Sequence, residues 1–242
     1  MNWFFAPPEA WSEATITLPP EESRHALQVL RLEPGNSIVV TDGRGSTATC
    51  LVDTGGGRSV LARIEGRRTG RRPRPQIVVY QGTAKKGKVD EIVEKLAELG
   101  VAELHAFESE RSVARWDASK VGRLKERWET IARSAGKQSR NPFFIAAAAG
   151  LTWNDLLEKV RAESFALTLW EEASLPLRSG LVAQATRVAI VIGPEGGFTP
   201  AEVEALAAAG APAVSLGPNI LRTENASVVA ASALLYHYGL LG

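Results

Sequence analysis

The stretch from Val188 to Leu206, VAIVIGPEGGFTPAEVEAL, leaves this chain few ways to fold. Its first residues are apolar without alternation, the pattern of a strand buried on both faces of a parallel sheet. The strand stops at Ile192, and Gly193, Pro194, Glu195, Gly196 and Gly197 make a tight turn. A helix follows at once, with Thr199 as N-cap, Pro200 in the first position and Glu202 placed to close a capping box. A strand feeding a helix in this way is half of a βαβ unit, and sheets built from such units bind ligands at the C-terminal ends of their strands. Glycines let the backbone approach a ligand closely, and free N–H groups at the helix start can donate to its polar edge. The turn is not a P-loop, because no Gly-Lys-Ser/Thr follows, and the G-x-G-x-x-G spacing of dinucleotide sites is absent.

A second segment, VSLGPNILRTENASVVAA, repeats the logic. A short strand ends at Leu216, Gly217 and Pro218 turn the chain, and Arg222-Thr223-Glu224-Asn225 leads into a helix. Ile220 and Leu221 are apolar where a loop is normally polar, which suits the walls of a site for a flat aromatic ligand such as adenine. Arg222 reads either as a contact to a phosphate or base edge or as a surface ion pair beside a Thr223 cap. In a third segment, ALTLWEEA, a buried strand ends at Leu169 and Trp170, and Trp170 reads equally as core or as a stacking platform.

The rest of the chain divides in two. Residues 14 to 65 carry short β-like runs (ATITL, SIVVTD, TATCLVD, SVLARIE) separated by the turn signals EPGN, DGRG and TGGGR, which predicts a small all-β barrel. One helical stretch, EESRHALQVLRL, interrupts it with Ala26, Leu27, Leu30 and Val29 on one face. The Arg-, Gly- and Pro-rich run GRRTGRRPRPQ has no apolar periodicity and reads as a linker. From Gln76 onward strands (QIVVYQ, AELHAF, SFALTLW, RVAIVI, AVSL) alternate with helices. The first helix carries Val89, Ile92, Val93, Leu96 and Leu99 and stops at Gly100; the second carries Val121, Leu124, Trp128, Ile131 and Ala135. The expected class is therefore α/β, with a barrel over 1–72 and a mostly parallel sheet over 73–242.

Charge is balanced overall, 28 Lys and Arg against 27 Asp and Glu, but it is segregated. Seven arginines lie between Arg58 and Arg74 with Glu65 the only acid; nine basic residues lie between Arg111 and Arg140 against three acids. Segregated basic patches are the footprint of a polyanion partner. Candidate residues for binding such a polyanion, RNA among the possibilities, are Arg24, Arg31, Arg71, Arg72, Lys85, Lys86, Lys88, Arg111, Arg133, Lys137 and Arg140. Lys85, Lys86 and Lys88 sit at a helix start, where cations oppose the helix dipole unless phosphates lie there. One cysteine, Cys50, excludes an internal disulfide, and three scattered histidines leave no metal cluster. The start of the chain lacks the pattern of a signal peptide and no apolar run is long enough to span a bilayer, so a soluble cytoplasmic protein is expected.

IGPEGGFTPAEVE and LGPNILRTENA together resemble the paired motifs of the ribosomal RNA small subunit methyltransferase E family, within the SPOUT superfamily of knotted methyltransferases. HALQVLRLEPGNSIVVTDGRG is similar to its N-terminal PUA-like barrel, and KKGKVDEIVEKLAELGV, FESERSV and ARSAGKQSRNPFF to its central segments, in the same order. The resemblance implies a C-terminal domain tied in a deep trefoil knot, a homodimer, and transfer of a methyl group from S-adenosylmethionine to N3 of uridine 1498 of 16S rRNA in the small ribosomal subunit. It implies a cofactor site at Leu169, Trp170, Ile192, Gly193, Pro194, Glu195, Gly196, Gly197, Leu216, Gly217, Ile220, Leu221, Arg222, Thr223 and Ala226. Asn225 departs from the family, which commonly has threonine there.

N3 of uridine carries a proton at neutral pH, so transfer needs proton removal or stabilisation of the anion, together with in-line approach to the methyl group. Arg222 is the candidate for holding the uracil oxygens, and Glu195 and Glu224 are the candidate bases. No metal is required. Three other readings stay open: a related methyltransferase acting on another rRNA or tRNA base, a non-catalytic RNA-binding assembly factor, and a nucleotide-phosphate-binding module.

Overall fold

The computed structural model describes residues 1–53, 59–85, 87–112 and 116–241. The TGGGR turn and Lys86 lie outside them. Contacts divide the chain into two units: Met1–Arg72 with Arg133–Phe144, and Pro73–Ala132 with Ile145–Gly242.

Unit one is a five-stranded sheet in the order β1-β3-β4-β5-β2, from β1 (Asn2–Phe5), β2 (Thr15–Thr17), β3 (Ser37–Thr41), β4 (Ser46–Asp53) and β5 (Leu61–Thr69). β1 pairs parallel with β3, and the other pairings are antiparallel. Phe4, Ile16, Ile38, Val40, Cys50 and Ala62 fill its core. Two expectations need correcting here. Gly66–Thr69 is not linker but the end of β5, paired with 46–49 of β4. The side chains of this strand end are exposed, so its backbone pairing left no apolar periodicity to read. In the helical stretch, α1 (Pro20–Arg24) runs into a π-helical turn, His25–Val29. The wider turn shifts the helical phase, so Ala26 is buried while Val29 and Leu30 are exposed, against the single face expected. β1 gave no signal that was read from the sequence.

The segment Arg133–Phe144 belongs to unit one by backbone pairing: Gly45 donates to the Pro142 carbonyl and Phe144 to that of Gly43. Arg72 donates to the Phe144 carbonyl at 3.0 Å and lies over the Phe143 ring.

Unit two is a six-stranded parallel sheet in the order β11-β9-β10-β6-β7-β8. Its strands are β6 (Gln76–Gly82), β7 (Glu103–Phe107), β8 (Ala146–Leu151), β9 (Ala166–Leu169), β10 (Arg187–Ile192) and β11 (Ala213–Val214). The helices are α2 (Lys88–Leu99), α3 (Ala118–Ser139, whose end from Arg133 belongs to unit one), α4 (Trp153–Ala162), α5 (Leu177–Gly180), α6 (Pro200–Ala208) and α7 (Thr223–His237). The predicted stops and caps are present: Gly100 ends α2 in the left-handed region at φ 82°, and Thr199 with Glu202 closes the capping box of α6. β8 and α4 were not foreseen. β8 is an alanine-rich edge strand with alternating half-exposure, and α4 starts from its own capping box, Thr152 with Asp155.

The chain runs outward from β6 to β7 and β8, then returns to build β9, β10 and β11 on the other side of β6. The reversal places β10 beside β6, with Ile192 in register with Gln81. Sheets of this kind bind ligands outside the C-terminal strand ends at such a reversal, and the two glycine turns sit there.

Candidate active site

Gln81 organises this end of the sheet. It is fully buried at the end of β6. Its side-chain amide donates to Thr223 Oγ1 at 2.9 Å, and its carbonyl accepts from Ser227. Thr223 Oγ1 in turn donates to the Gly193 carbonyl at 2.7 Å. One buried amide thus ties the first strand of the unit to the first turn of α7 and to the glycine turn after β10. Thr223 is therefore not the cap of α7, as one reading had it. Arg222 occupies the N-cap position, and no side chain caps the helix.

Gly82 completes the arrangement. A Cβ there would lie 2.4 Å from Pro194 N, so the turn can cross the end of β6 only over a glycine. The close approach that the sequence attributed to the turn's own glycines depends on a glycine of the neighbouring strand. Gln81 and Gly82 were both missed; a polar residue and a glycine ending an otherwise apolar strand were the available signal.

These ties leave a cavity of about 400 Å³. Leu169, Trp170, Ile192, Gly193, Pro194, Glu195, Gly197, Leu216, Gly217, Ile220, Leu221, Arg222, Thr223 and Ala226 all line it. Of the expected cofactor residues only Gly196 does not: its carbonyl accepts from Arg111 at 3.2 Å, and a Cβ on it would meet Arg111 rather than the cavity. Trp170 packs on the core and also lines the cavity. Phe198 and Asn219, inside the two motif segments, also line it, as does Lys88, expected as an RNA-binding residue; Glu171 and Ser215 line it without having been anticipated. Ile220, an apolar wall, is 85% exposed.

Three of the charged groups form one cluster. Lys88 Nζ lies 3.1 Å from Glu224 Oε2 and 3.5 Å from Glu195 Oε1, and Glu195 also accepts the Lys85 backbone N–H at 3.0 Å. Burial pushes the Glu224 carboxyl upward, but its own backbone N–H, Lys88 and Arg222 together hold it below the ordinary carboxylate range. Hydrogen bonding to Glu224 raises Lys88 above its ordinary value. Lys88 therefore answers its place at a helix start with carboxylates of this same chain.

The remaining basic candidates fall into two sets. Arg72, Arg111, Arg133 and Lys137 are engaged within the fold: Arg133 lies 4.7 Å from the Phe5 ring centre, and Lys137 pairs with Glu22. Arg24, Arg31, Arg71, Lys85 and Arg140 are exposed, and Arg31 and Arg140 adopt positive φ. No group of three or more metal-ligating side chains occurs among the described residues, and no described helix is long and apolar enough to cross a membrane.

A parallel α/β sheet with a cavity at its strand reversal, preceded by a small β unit, defines a class, and comparison identifies it. Residues 71–235 match the model of the RNA methyltransferase domain, and residues 18–65 that of the RNA methyltransferase PUA domain. The chain is 37% identical over 218 residues to the ribosomal RNA small subunit methyltransferase E of Mycobacterium bovis, covering 88% of this chain and 83% of that protein. It is 31% identical over 235 residues to the Bacillus subtilis protein of the same name, covering 94% and 92%. The crystal structure of the Neisseria gonorrhoeae ribosomal RNA small subunit methyltransferase E bound to S-adenosyl methionine superposes with a TM-score of 0.86 at 28% identity, covering 98% of this chain and 97% of that one. The chain belongs to the ribosomal RNA small subunit methyltransferase E family.

Proposed function

We propose that this protein is an S-adenosylmethionine-dependent methyltransferase acting on N3 of uridine 1498 of 16S rRNA in the small ribosomal subunit. The observation that carries the reading is the single cavity formed by three loops far apart in sequence, two of which bear the family motifs. Its donor set fits the cofactor: Leu169, Ile192, Leu221 and Ala226 offer apolar walls to an adenine, main-chain groups of the two turns offer polar edges, and Glu171 offers an acceptor for ribose hydroxyls. When bound, the cofactor supplies an electrophilic methyl group on a sulfonium.

The chain's own residues do the rest. Arg222, exposed at the cavity and at the N-cap of α7, is placed to hold the uracil oxygens and stabilise charge on N3 as its proton leaves. Glu224, held by Lys88, acts as a charge partner more readily than as a base, and Glu195 shares the same ammonium. A carboxyl held below its ordinary range is a weak proton acceptor.

Several expectations join this proposal. The unit over 1–72 holds RNA through its exposed arginines, and 73–242 carries the chemistry. The strand order, with α7 tied back to β6 by Gln81, supports the trefoil knot. A homodimer is supported by α7, which keeps Val229 and Tyr236 44% and 73% exposed on the face away from the sheet. The protein works in the cytoplasm, where ribosomal subunits mature.

The test is methylation of purified small subunits and of naked 16S rRNA, with the modified base mapped. N3-methyluridine at position 1498 is expected; a methyl group on any other base overturns the substrate assignment.

A further inference from the structure

A separate cavity of about 830 Å³ lies between the start of α2 and the first half of α3, within the size range of small-molecule sites. Its lining is basic and aromatic. Lys85, Lys120 and Arg123 face it, as does the indole of Trp116. Asp90, the acid at its floor, is already committed: it accepts from Trp128 Nε1 at 2.8 Å and pairs with Arg127 at 2.7 Å. Arg127 thereby offsets its charge; the other charged residues described in the lining are Lys85, Lys120, Arg123 and Glu126.

Trp116 is held from two sides. Its backbone N–H donates to Glu108 Oε1 at 2.6 Å, and its ring meets the fully buried Trp128 edge-on, with centroids 5.9 Å apart. The Lys120 ammonium lies 5.9 Å from the ring centre. A fixed aromatic surface among cations is how proteins hold an unstacked nucleotide, with the base on the ring and the phosphates on the cations. An acidic peptide would use the cations but would leave the indole without a purpose. Lys85 links the two cavities, since its backbone N–H bonds Glu195 of the first while the residue lines the second.

We infer that this second cavity receives a single unstacked nucleotide of the RNA near the methylated base, with Trp116 under the base and Arg123, Lys120 and Lys85 toward the phosphates. The inference rests on the proposed RNA methyltransferase activity and adds a substrate subsite to it.

The test uses the full-length protein with Trp116→Leu, Trp116→Phe and Arg123→Gln variants. Methylation of small subunits, S-adenosylmethionine affinity and quenching of tryptophan fluorescence by a short single-stranded oligouridylate are measured for each. Trp116→Leu is expected to raise KM for the RNA about tenfold with kcat and cofactor affinity unchanged, and to lose most of the quenching. Trp116→Phe is expected to restore most of the KM. Arg123→Gln is expected to reduce the slope of log KM against log salt by about one. Unchanged KM, quenching and salt slope in Trp116→Leu and Arg123→Gln overturn the inference, as does displacement by polyglutamate where oligouridylate has no effect. A wild-type protein that methylates no RNA but shows Trp116-dependent quenching instead overturns the activity and supports the subsite.

Discussion

Lys88 Nζ sits 3.1 Å from Glu224 Oε2, joining the first residue of α2 to the first turn of α7 beside the candidate cavity. The pair sets the acid response of this region. Glu224 has a folded-state pKa below the ordinary carboxylate value, so its contribution to stability is complete at neutral pH. That contribution is lost as pH falls through the carboxylate range to the lowered folded value. The melting temperature of the wild type minus that of Glu224→Gln should therefore shrink on acidification below about pH 4, as followed by circular dichroism. A difference that grows with acid would contradict the pairing.

Arg222→Ala should lower turnover on small subunits by about a hundredfold or more, the usual scale for removing a donor aimed at developing charge. Arg222→Lys should recover only part of it, because a single ammonium does not span two uracil oxygens. Full turnover in Arg222→Ala would remove Arg222 from the chemistry.

Gly82→Ala places a methyl group 2.4 Å from Pro194 N. The obstacle is backbone, so the turn must move. We expect a stability loss of about 1–3 kcal/mol together with weaker S-adenosylmethionine binding, measured by thermal denaturation and calorimetry. Unchanged binding would mean that the turn's position does not matter to the cofactor.

At the other end of the sheet, Arg187 bridges Glu103 at 2.6 Å and Glu163 at 2.7 Å, and Glu163 accepts from the Tyr80 hydroxyl. Arg187→Ala strands a nearly buried carboxylate and should cost about 3–5 kcal/mol. Cofactor affinity should survive, because the network begins where β10 begins and the cavity lies where β10 ends. Hydrogen bonds from His105 and Arg187 hold Glu103 well below the usual carboxylate range, so this stabilisation too is complete at neutral pH and fades in acid.

Burial pushes the Cys50 thiol up to about 11. Its alkylation at neutral pH should be slow and should follow the opening of unit one, which a thiol reagent can time under increasing denaturant. Rapid labelling of the native protein would place the thiol at the surface.

What the sequence made legible was what local chemistry enforces. The capping box at Thr199 and Glu202, the Gly100 stop and the unbroken apolar strands are decisions made within a few residues, and each appears as read. The candidate cavity was legible for the same reason, since its walls are the ends of such strands. What escaped depended on partners distant in the chain. Gln81 is unremarkable until Thr223 and Ser227 are beside it, and Lys88 looked like a phosphate ligand until Glu195 and Glu224 met it. Val29 and Leu30 were misplaced because a π turn changes the phase that a 3.6-residue period assumes. β8 and the end of β5 expose at least half their side chains, and an exposed strand carries little pattern.

The buried amide of Gln81 has a consequence for the lifetime of the protein. It makes the seat of α7 and the wall of the candidate cavity one mechanical part, so a molecule filling the cavity also clamps that helix. A ligand at a hundred times its dissociation constant adds about 2.7 kcal/mol against any opening that destroys its site. If the methyl donor fills this cavity, the resistance of α7 to proteases should rise with donor concentration.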